Sequence, residues 1–159
     1  MSQAEFYELI QPRLRFDVGA HTFTADEIIE FAREFDPQAF HLSEEGAAAS
    51  HFGRLCASGW HTISVWMRLN VDNAGKAIVK ATGYKGTPQP LGPSPGVRDI
   101  KWTLPVYVGD TIHYSTEVLD KRPSTNRPGW SIVSFTSEGH NQDGAKVLSM
   151  VGAMNMRME

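Results

Sequence analysis

The chain is poor in cysteine: Cys56 is the only one among 159 residues. A single thiol excludes an internal disulfide and a Cys-rich zinc centre. It makes a reducing compartment, the cytoplasm, the expected location. Excess positive charge is also lacking. Lys and Arg number 15 against 18 Asp and Glu, a net charge of -3 with His neutral. Nucleic-acid and anionic-membrane surfaces are recognised by clustered Lys and Arg, so neither partner is expected. No stretch approaches the 18 or more apolar residues of a membrane-spanning helix. The opening MSQAEFYELIQPRLRF has no apolar segment of the kind that marks a secretory signal. The sequence also has no G-x-G-x-x-G, G-x-x-x-x-G-K-[ST], G-x-S-x-G or H-E-x-x-H. Dinucleotide, P-loop, serine-hydrolase and zincin chemistry therefore lack their local signatures, and no cofactor or metal is expected.

What is present is an ordinary globular composition. Hydrophobic residues make up 41% and charged residues 21%, enough apolar surface for a packed core. The length suits one domain. The first half of the chain reads as helical and the second half as strands. Thr24-Ala25-Asp26-Glu27 is a capping box, followed by Ile28, Ile29, Phe31, Ala32 and Phe35 at helical spacing. Asp36 precedes Pro37, which stops that helix near Phe35. Residues 13–24 are expected to hold a short strand pair turning at Gly19. Ser43-Glu44-Glu45 starts a second short helix reaching about Ser50. A third helix is predicted from Ser58 to about Asp72. Its apolar residues surround most of the cylinder, so it should be buried.

Residues 83–96 carry four Gly and four Pro and read as an extended loop. Strand patterns follow around Ile100–Leu104, Ile112–Val118, Ile132–Glu138 and Lys146–Met158. Asn141-Gln142-Asp143-Gly144 turns between the last two. In the final strand Leu148, Met150, Met154, Met156 and Met158 share a face, read as core packing. The fold class is α+β, an antiparallel β-sheet wrapped around a long central α-helix.

The chemistry concentrates in Phe35-Asp36-Pro37-Gln38-Ala39-Phe40-His41. On a continuous helix, residues five apart point about 140° from one another. Pro37 breaks the helix, so the chain can turn Asp36 and His41 toward one point. Between Phe35 and Phe40 the carboxylate is expected to be partly desolvated and thus a stronger base. An imidazole beside it can exchange a proton near neutral pH. A water held by both is one use of the pair; a helix stop with a hydrogen-bonded histidine is the plain structural alternative. A second feature is Ser58-Gly59 at the start of the apolar helix. Free N–H groups and the positive end of the helix dipole lie there. With no side chain at Gly59, an oxygen can approach its N–H. A thioester carbonyl acquiring enolate charge would be stabilised at that place.

His51, Cys56 and His61 lie five residues apart but on different predicted elements, and a metal is not expected there. Cys56 reads as a small buried hydrophobe. Trp60 and Trp66 read as packing residues of the helix. Arg98 and Lys101 read as solvated charges.

With these residues in place, the chain resembles the MaoC-like acyl-CoA dehydratases, including the (R)-specific enoyl-CoA hydratases of the hot-dog fold. The resemblance rests on Asp36-Pro37-Gln38-Ala39-Phe40-His41, Phe52-Gly53, Ser58-Gly59, Pro105-Val106-Tyr107-Val108-Gly109-Asp110-Thr111 and Asn141-Gln142-Asp143-Gly144. It spans residues 14 to 157. It implies a single hot-dog domain over residues 1–159, with 1–12 as an N-terminal extension. It implies a hydro-lyase of fatty acid metabolism that hydrates a trans-2-enoyl thioester reversibly, with syn stereochemistry, to a (3R)-hydroxyacyl thioester. Asp36 and His41 would be the catalytic dyad, with Gly59 and Ser58 at the oxyanion and substrate-binding site. The substrate would be an acyl-CoA or acyl-carrier-protein thioester, with coenzyme A entering as part of the substrate and not as a cofactor. The loop 83–96 is expected to shape the acyl pocket, and the chain to form a homodimer. A hot-dog acyl-CoA thioesterase and a non-catalytic acyl-CoA-binding protein are the alternatives.

Overall fold

The computed structural model describes residues 2–90 and 92–159. Among these described residues, five helices and five strands follow in the order α1 (Gln3–Leu9), β1 (Arg15–Thr22), α2 (Ala25–Phe35), α3 (Ala39–Leu42), α4 (Glu44–Ala48), α5 (Gly59–Thr82), β2 (Gly96–Trp102), β3 (Thr111–Pro123), β4 (Trp130–His140) and β5 (Lys146–Arg157). The strands make one antiparallel sheet in the order β1-β3-β4-β5-β2. With α5 lying across it, this is the α+β hot-dog fold. Period-two alternation puts Ile112, Tyr114, Thr116 and Val118 of β3 inside. Leu148, Met150, Met154 and Met156 of β5 are buried in the same core, so the methionine stripe is packing. Trp66, Ala74 and Ile78 answer them from α5.

Several sequence-based boundaries shift. No strand pair turns at Gly19: β1 is one strand paired with β3, and it bulges between Asp17 and Gly19. The alternation of buried Phe16 and Val18 holds it to the core on one side of that bulge. The central helix runs ten residues beyond Asp72, to Thr82. Ala74 and Ile78 carry its buried face onward, and Gly83 ends it in the left-handed region at φ 73°. Nor is that helix buried all round. Trp60, Met67 and Val71 are exposed along one side. The N-terminal segment also packs inward. A capping box between Ser2 and Glu5 opens α1, whose Phe6 is wholly buried, as is Ile10 just beyond it.

The loop after α5 serves the end of the molecule remote from α5's N-terminus. Gln89 donates to the carbonyls of Gln3 (3.1 Å) and Arg157 (3.0 Å), and the Tyr84 hydroxyl donates to the Ser2 carbonyl at 2.9 Å. It ties α1 to the end of β5. The cavity that this loop is expected to shape is lined elsewhere, by residues within 36–62 and 102–106 and by Val147.

Candidate active site

Two helix ends meet at the site. Thr24 caps α2, its hydroxyl accepting from Glu27 N–H, as the sequence pattern predicts. The Glu27 carboxylate does not return to the Thr24 backbone as a full box would. It binds the Thr24 hydroxyl and His21, and lies 3.9 Å from His61 Nε2. His61, in the first turn of α5, stacks on Phe31 of α2 with ring centroids 4.6 Å apart. Burial lowers the pKa of His61, so it packs as a neutral ring near pH 7. This contact fixes α2 against the start of α5. As a result Asp36, the C-cap of α2, faces Ser58, the N-cap of α5.

Asp36 is held from three sides. Ser58 Oγ donates to Oδ2 at 2.7 Å and Gln38 Nε2 donates to Oδ1 at 2.7 Å. His41 Nε2 stands 3.4 Å from Oδ2. Pro37 lets the chain leave α2 and re-enter a single helical turn, α3, which returns His41 to the carboxylate. Partial burial alone would raise the Asp36 pKa. The hydrogen bonds from Ser58 and Gln38, with the nearby imidazole, outweigh it and hold the carboxyl below its ordinary value. The expectation of a carboxylate made more basic by desolvation is therefore reversed, because two donors reach it.

His41 is 5% exposed, and its Nδ1–H donates to the Cys56 carbonyl at 2.6 Å. A carbonyl can only accept, so the neutral imidazole carries its proton on Nδ1 and keeps the Nε2 lone pair free. Nε2 lies 3.4 Å from a carboxylate oxygen, which also only accepts. Two acceptors 3.4 Å apart have no proton to share unless a water or hydroxyl supplies it, or the imidazole is cationic. Sequence reasoning assigns Cys56 no part. Burial pushes its thiol up to about 11, leaving a neutral SH at pH 7. Its backbone carbonyl nevertheless sets the tautomer of His41, a role that no side-chain pattern reveals.

Asp36 and His41 open into a cavity of about 490 Å³. Its walls include Phe40, Phe52, Gly59, Trp60, Trp102 and Val106. None of the described residues of loop 83–96 reaches it. Asp36, His41 and Gly59 are thus brought together as predicted. Ser58 caps α5 as the sequence places it, but it does not line the cavity. Its side chain is fully buried, donates to Asp36 and accepts from Trp60 N–H at 3.2 Å, so it stands behind the carboxylate and not against a substrate. The space above Gly59 is also already in use. A Cβ there would lie 2.4 Å from Trp102 Cε2, so the missing side chain admits an indole. His51, Cys56 and His61 do not converge: His51 packs on Phe52, Cys56 beside His41, and His61 on Phe31.

Residues 11–88 match the family model for the MaoC like domain. The uncharacterized protein YdeM of Bacillus subtilis (strain 168) is 32% identical over 124 residues, 77% of each chain. The crystal structure of the MaoC-like dehydratase from Rhodospirillum rubrum is 36% identical, covers 96% of both chains and superposes with a TM-score of 0.79. The (R)-hydratase from A. caviae involved in PHA biosynthesis shares the fold at 22% identity, covering 91% of this chain and 95% of that one, with a TM-score of 0.64. The family model and the 36%-identical structure set the chain among hot-dog proteins of the dehydratase kind. The chain belongs to the MaoC-like dehydratase family.

Ser58→Ala is expected to lower kcat/KM about tenfold, the worth of one hydrogen bond to a charged group, about 1.5 kcal/mol. It also removes the α5 cap, costing about 1 kcal/mol of stability. The pH dependence separates the two effects. Losing a donor raises the Asp36 pKa toward its ordinary value, so the acid limb of the kcat/KM profile moves to higher pH. An unmoved limb beside a lowered melting temperature would leave Ser58 only its capping role.

Proposed function

We propose that the protein catalyses the reversible syn hydration of a trans-2-enoyl-CoA to a (3R)-hydroxyacyl-CoA. The observation that carries this is the Asp36–His41 pair: two acceptors facing one another at 3.4 Å, at the wall of an apolar cavity, with the His41 tautomer fixed by Cys56. A water there donates one O–H to each. His41 Nε2 takes a proton as the water oxygen bonds to the β-carbon. The double-bond electrons move toward the thioester carbonyl. The imidazolium then returns the proton from Nε2 to the α-carbon on the same face, giving net addition of one water. Asp36, kept ionised, orients the water and stabilises the transient imidazolium. The enolate oxygen is held at the start of α5, where the Gly59 N–H meets no acceptor among the described residues.

Thioester hydrolysis by a carboxylate on the central helix is disfavoured. Asp72, the only such residue on α5, is half-exposed and bonded to Arg68. Asp36 is the only carboxylate lining the cavity among the described residues. The test is a panel of enoyl-CoA and enoyl-acyl-carrier-protein thioesters of increasing chain length, followed by loss of conjugated absorbance and by mass. A gain of one water supports the proposal. Release of free thiol, or binding without any turnover, would replace it with the hydrolase or the binding protein.

Two copies are proposed to pair through β2. Among the described residues that strand has a partner on one side only, β5, and Val97 and Trp102 on it are exposed, with Trp60 of α5 against Trp102. Sedimentation should give twice the 17.6 kDa chain mass, and a monomer mass would reject the pairing.

A further inference from the structure

A titratable ring sits where α2 meets α5, and the hydration chemistry gives it no part. His61 is 7% exposed and lies in a run of rings. Phe23 meets it edge-on at 5.1 Å. Phe31 of α2 lies flat on it at 4.6 Å, within 6° of parallel, and Phe35 packs on Phe31 at 5.0 Å. Phe35 is the residue before Asp36. One turn back from His61, Ser58 Oγ reaches Asp36 Oδ2 at 2.7 Å. The end of α2 thus meets the start of α5 at two points, the ring stack and the carboxylate. The His61 nitrogens are poorly matched to this place. Nδ1 is buried and has no hydrogen-bond partner among the described residues. Nε2 lies 3.9 Å from Glu27 Oε1, beyond hydrogen-bond reach. The titratable groups that face the ring are Glu27 of α2 and His21 of β1, and these two are bonded to one another. A neutral imidazole has one N–H and one lone pair. With its proton on Nε2, toward the carboxylate, it leaves only a bare acceptor among the rings. A second proton would set a charged N–H on Nδ1, buried and without an acceptor, which is far more costly. The Phe31 face and the Glu27 carboxylate both attract a cation, yet Glu27 is already shared with His21. Burial outweighs them and holds His61 below its ordinary value of 6.5.

We infer that His61 is a positioning residue for Asp36: as a neutral ring stacked on Phe31 it holds the end of α2 against Ser58, and a proton on it releases that hold. This rests on the hydratase proposal above, in which Asp36 orients the water. The sign follows from the direction of the shift. The joined form binds the proton less readily than the released form. His61 therefore favours the joined form fully above pH 6.5. Each unit of pH below that favours the released form by up to about tenfold. Release withdraws the Ser58 hydroxyl from Asp36, so the carboxyl rises toward its ordinary value and the water loses its orienting group.

His61→Ala removes the ring, and His61→Phe keeps a flat neutral ring without nitrogens. His61→Ala is expected to lower kcat about 10–100-fold with little change in KM, because a small displacement of an orienting group acts on the chemical step. His61→Phe should recover most of that loss. Should His61→Ala not fold, His61→Leu, which fills the space without a flat face, takes its place. Carbon-13 NMR of the Asp36 carboxyl supplies a readout that lost stability alone would not move. Its titration should shift to higher pH in His61→Ala and stay near wild type in His61→Phe. Melting temperatures between about pH 7.5 and about pH 5 test the proton: wild type should lose more on acidification than His61→Phe, which has no nitrogen to protonate. A folded His61→Ala with wild-type kcat and an unmoved Asp36 titration would leave His61 a packing residue. Parallel melting curves for wild type and His61→Phe would overturn the release by a proton. If wild type hydrates no enoyl thioester, the hydratase proposal fails by itself. The Asp36 titration in the two variants then still decides whether His61 positions the carboxylate.

Discussion

Asp36→Asn is expected to lower kcat/KM for enoyl-CoA hydration about a thousandfold while leaving the fold intact, a loss within the range usual for a removed acid–base partner. The geometry makes the change more than the loss of a charge. Asp36 accepts from Ser58 on Oδ2 and from Gln38 on Oδ1, and Oδ2 also faces His41 Nε2. An amide has only one accepting oxygen. If it keeps the buried Ser58 hydroxyl, its NH2 stands where Oδ1 was, and the exposed Gln38 amide must turn over to accept from it. If it turns over, its NH2 meets the Ser58 hydroxyl and stands beside Nε2. In that orientation the amide donates directly to the His41 lone pair. The base is then occupied, and the place of the shared water is closed. Either orientation leaves the imidazolium without a counter-charge. The rate of loss of conjugated absorbance measures the effect, with melting temperature as the control. An Asp36→Asn protein that hydrates at the wild-type rate would remove Asp36 from the chemistry.

Much of this site is legible in the chain before it folds. Asp36-Pro37 announces that α2 must stop, and the five-residue spacing to His41 becomes productive only because it stops there. The alternation in β3 and β5 and the turn at residues 141–144 define the antiparallel sheet. What the pattern cannot show is where backbone groups point once distant elements meet. The Cys56 carbonyl reaches His41 across a separation of 15 residues, and carbonyls leave no mark on the sequence. Ser58 looks like a substrate contact because it opens the helix, yet Asp36 arrives from 22 residues away and takes its hydroxyl. The same arrival reverses the expected basicity of the carboxylate. Local apolar flanks argue for desolvation, whereas two donors from outside the local window win. Trp102 lies 43 positions from Gly59, so only the folded β2 reveals why residue 59 has no side chain.

His41→Ala should be the most damaging single change, with kcat lower by about 10³–10⁴-fold. No neighbour can replace the lost base. The Asp36 pKa is held low, and the Cys56 thiol, 3.7 Å from Nδ1, is too weak an acid to ionise near neutral pH. The truncation also leaves the Cys56 carbonyl without its donor in a buried place, costing about 1–3 kcal/mol of stability. Two measurements separate chemistry from folding. Free imidazole added to His41→Ala should restore part of the rate, because the vacated ring space adjoins the open cavity and the Cys56 carbonyl still selects the useful tautomer. The double variant Asp36→Asn/His41→Ala should be scarcely slower than His41→Ala alone, since both residues act on one water and their effects are not additive. Fully multiplicative losses, with no rescue by imidazole in a protein that still folds, would show that the two side chains act independently and that no water is shared between them.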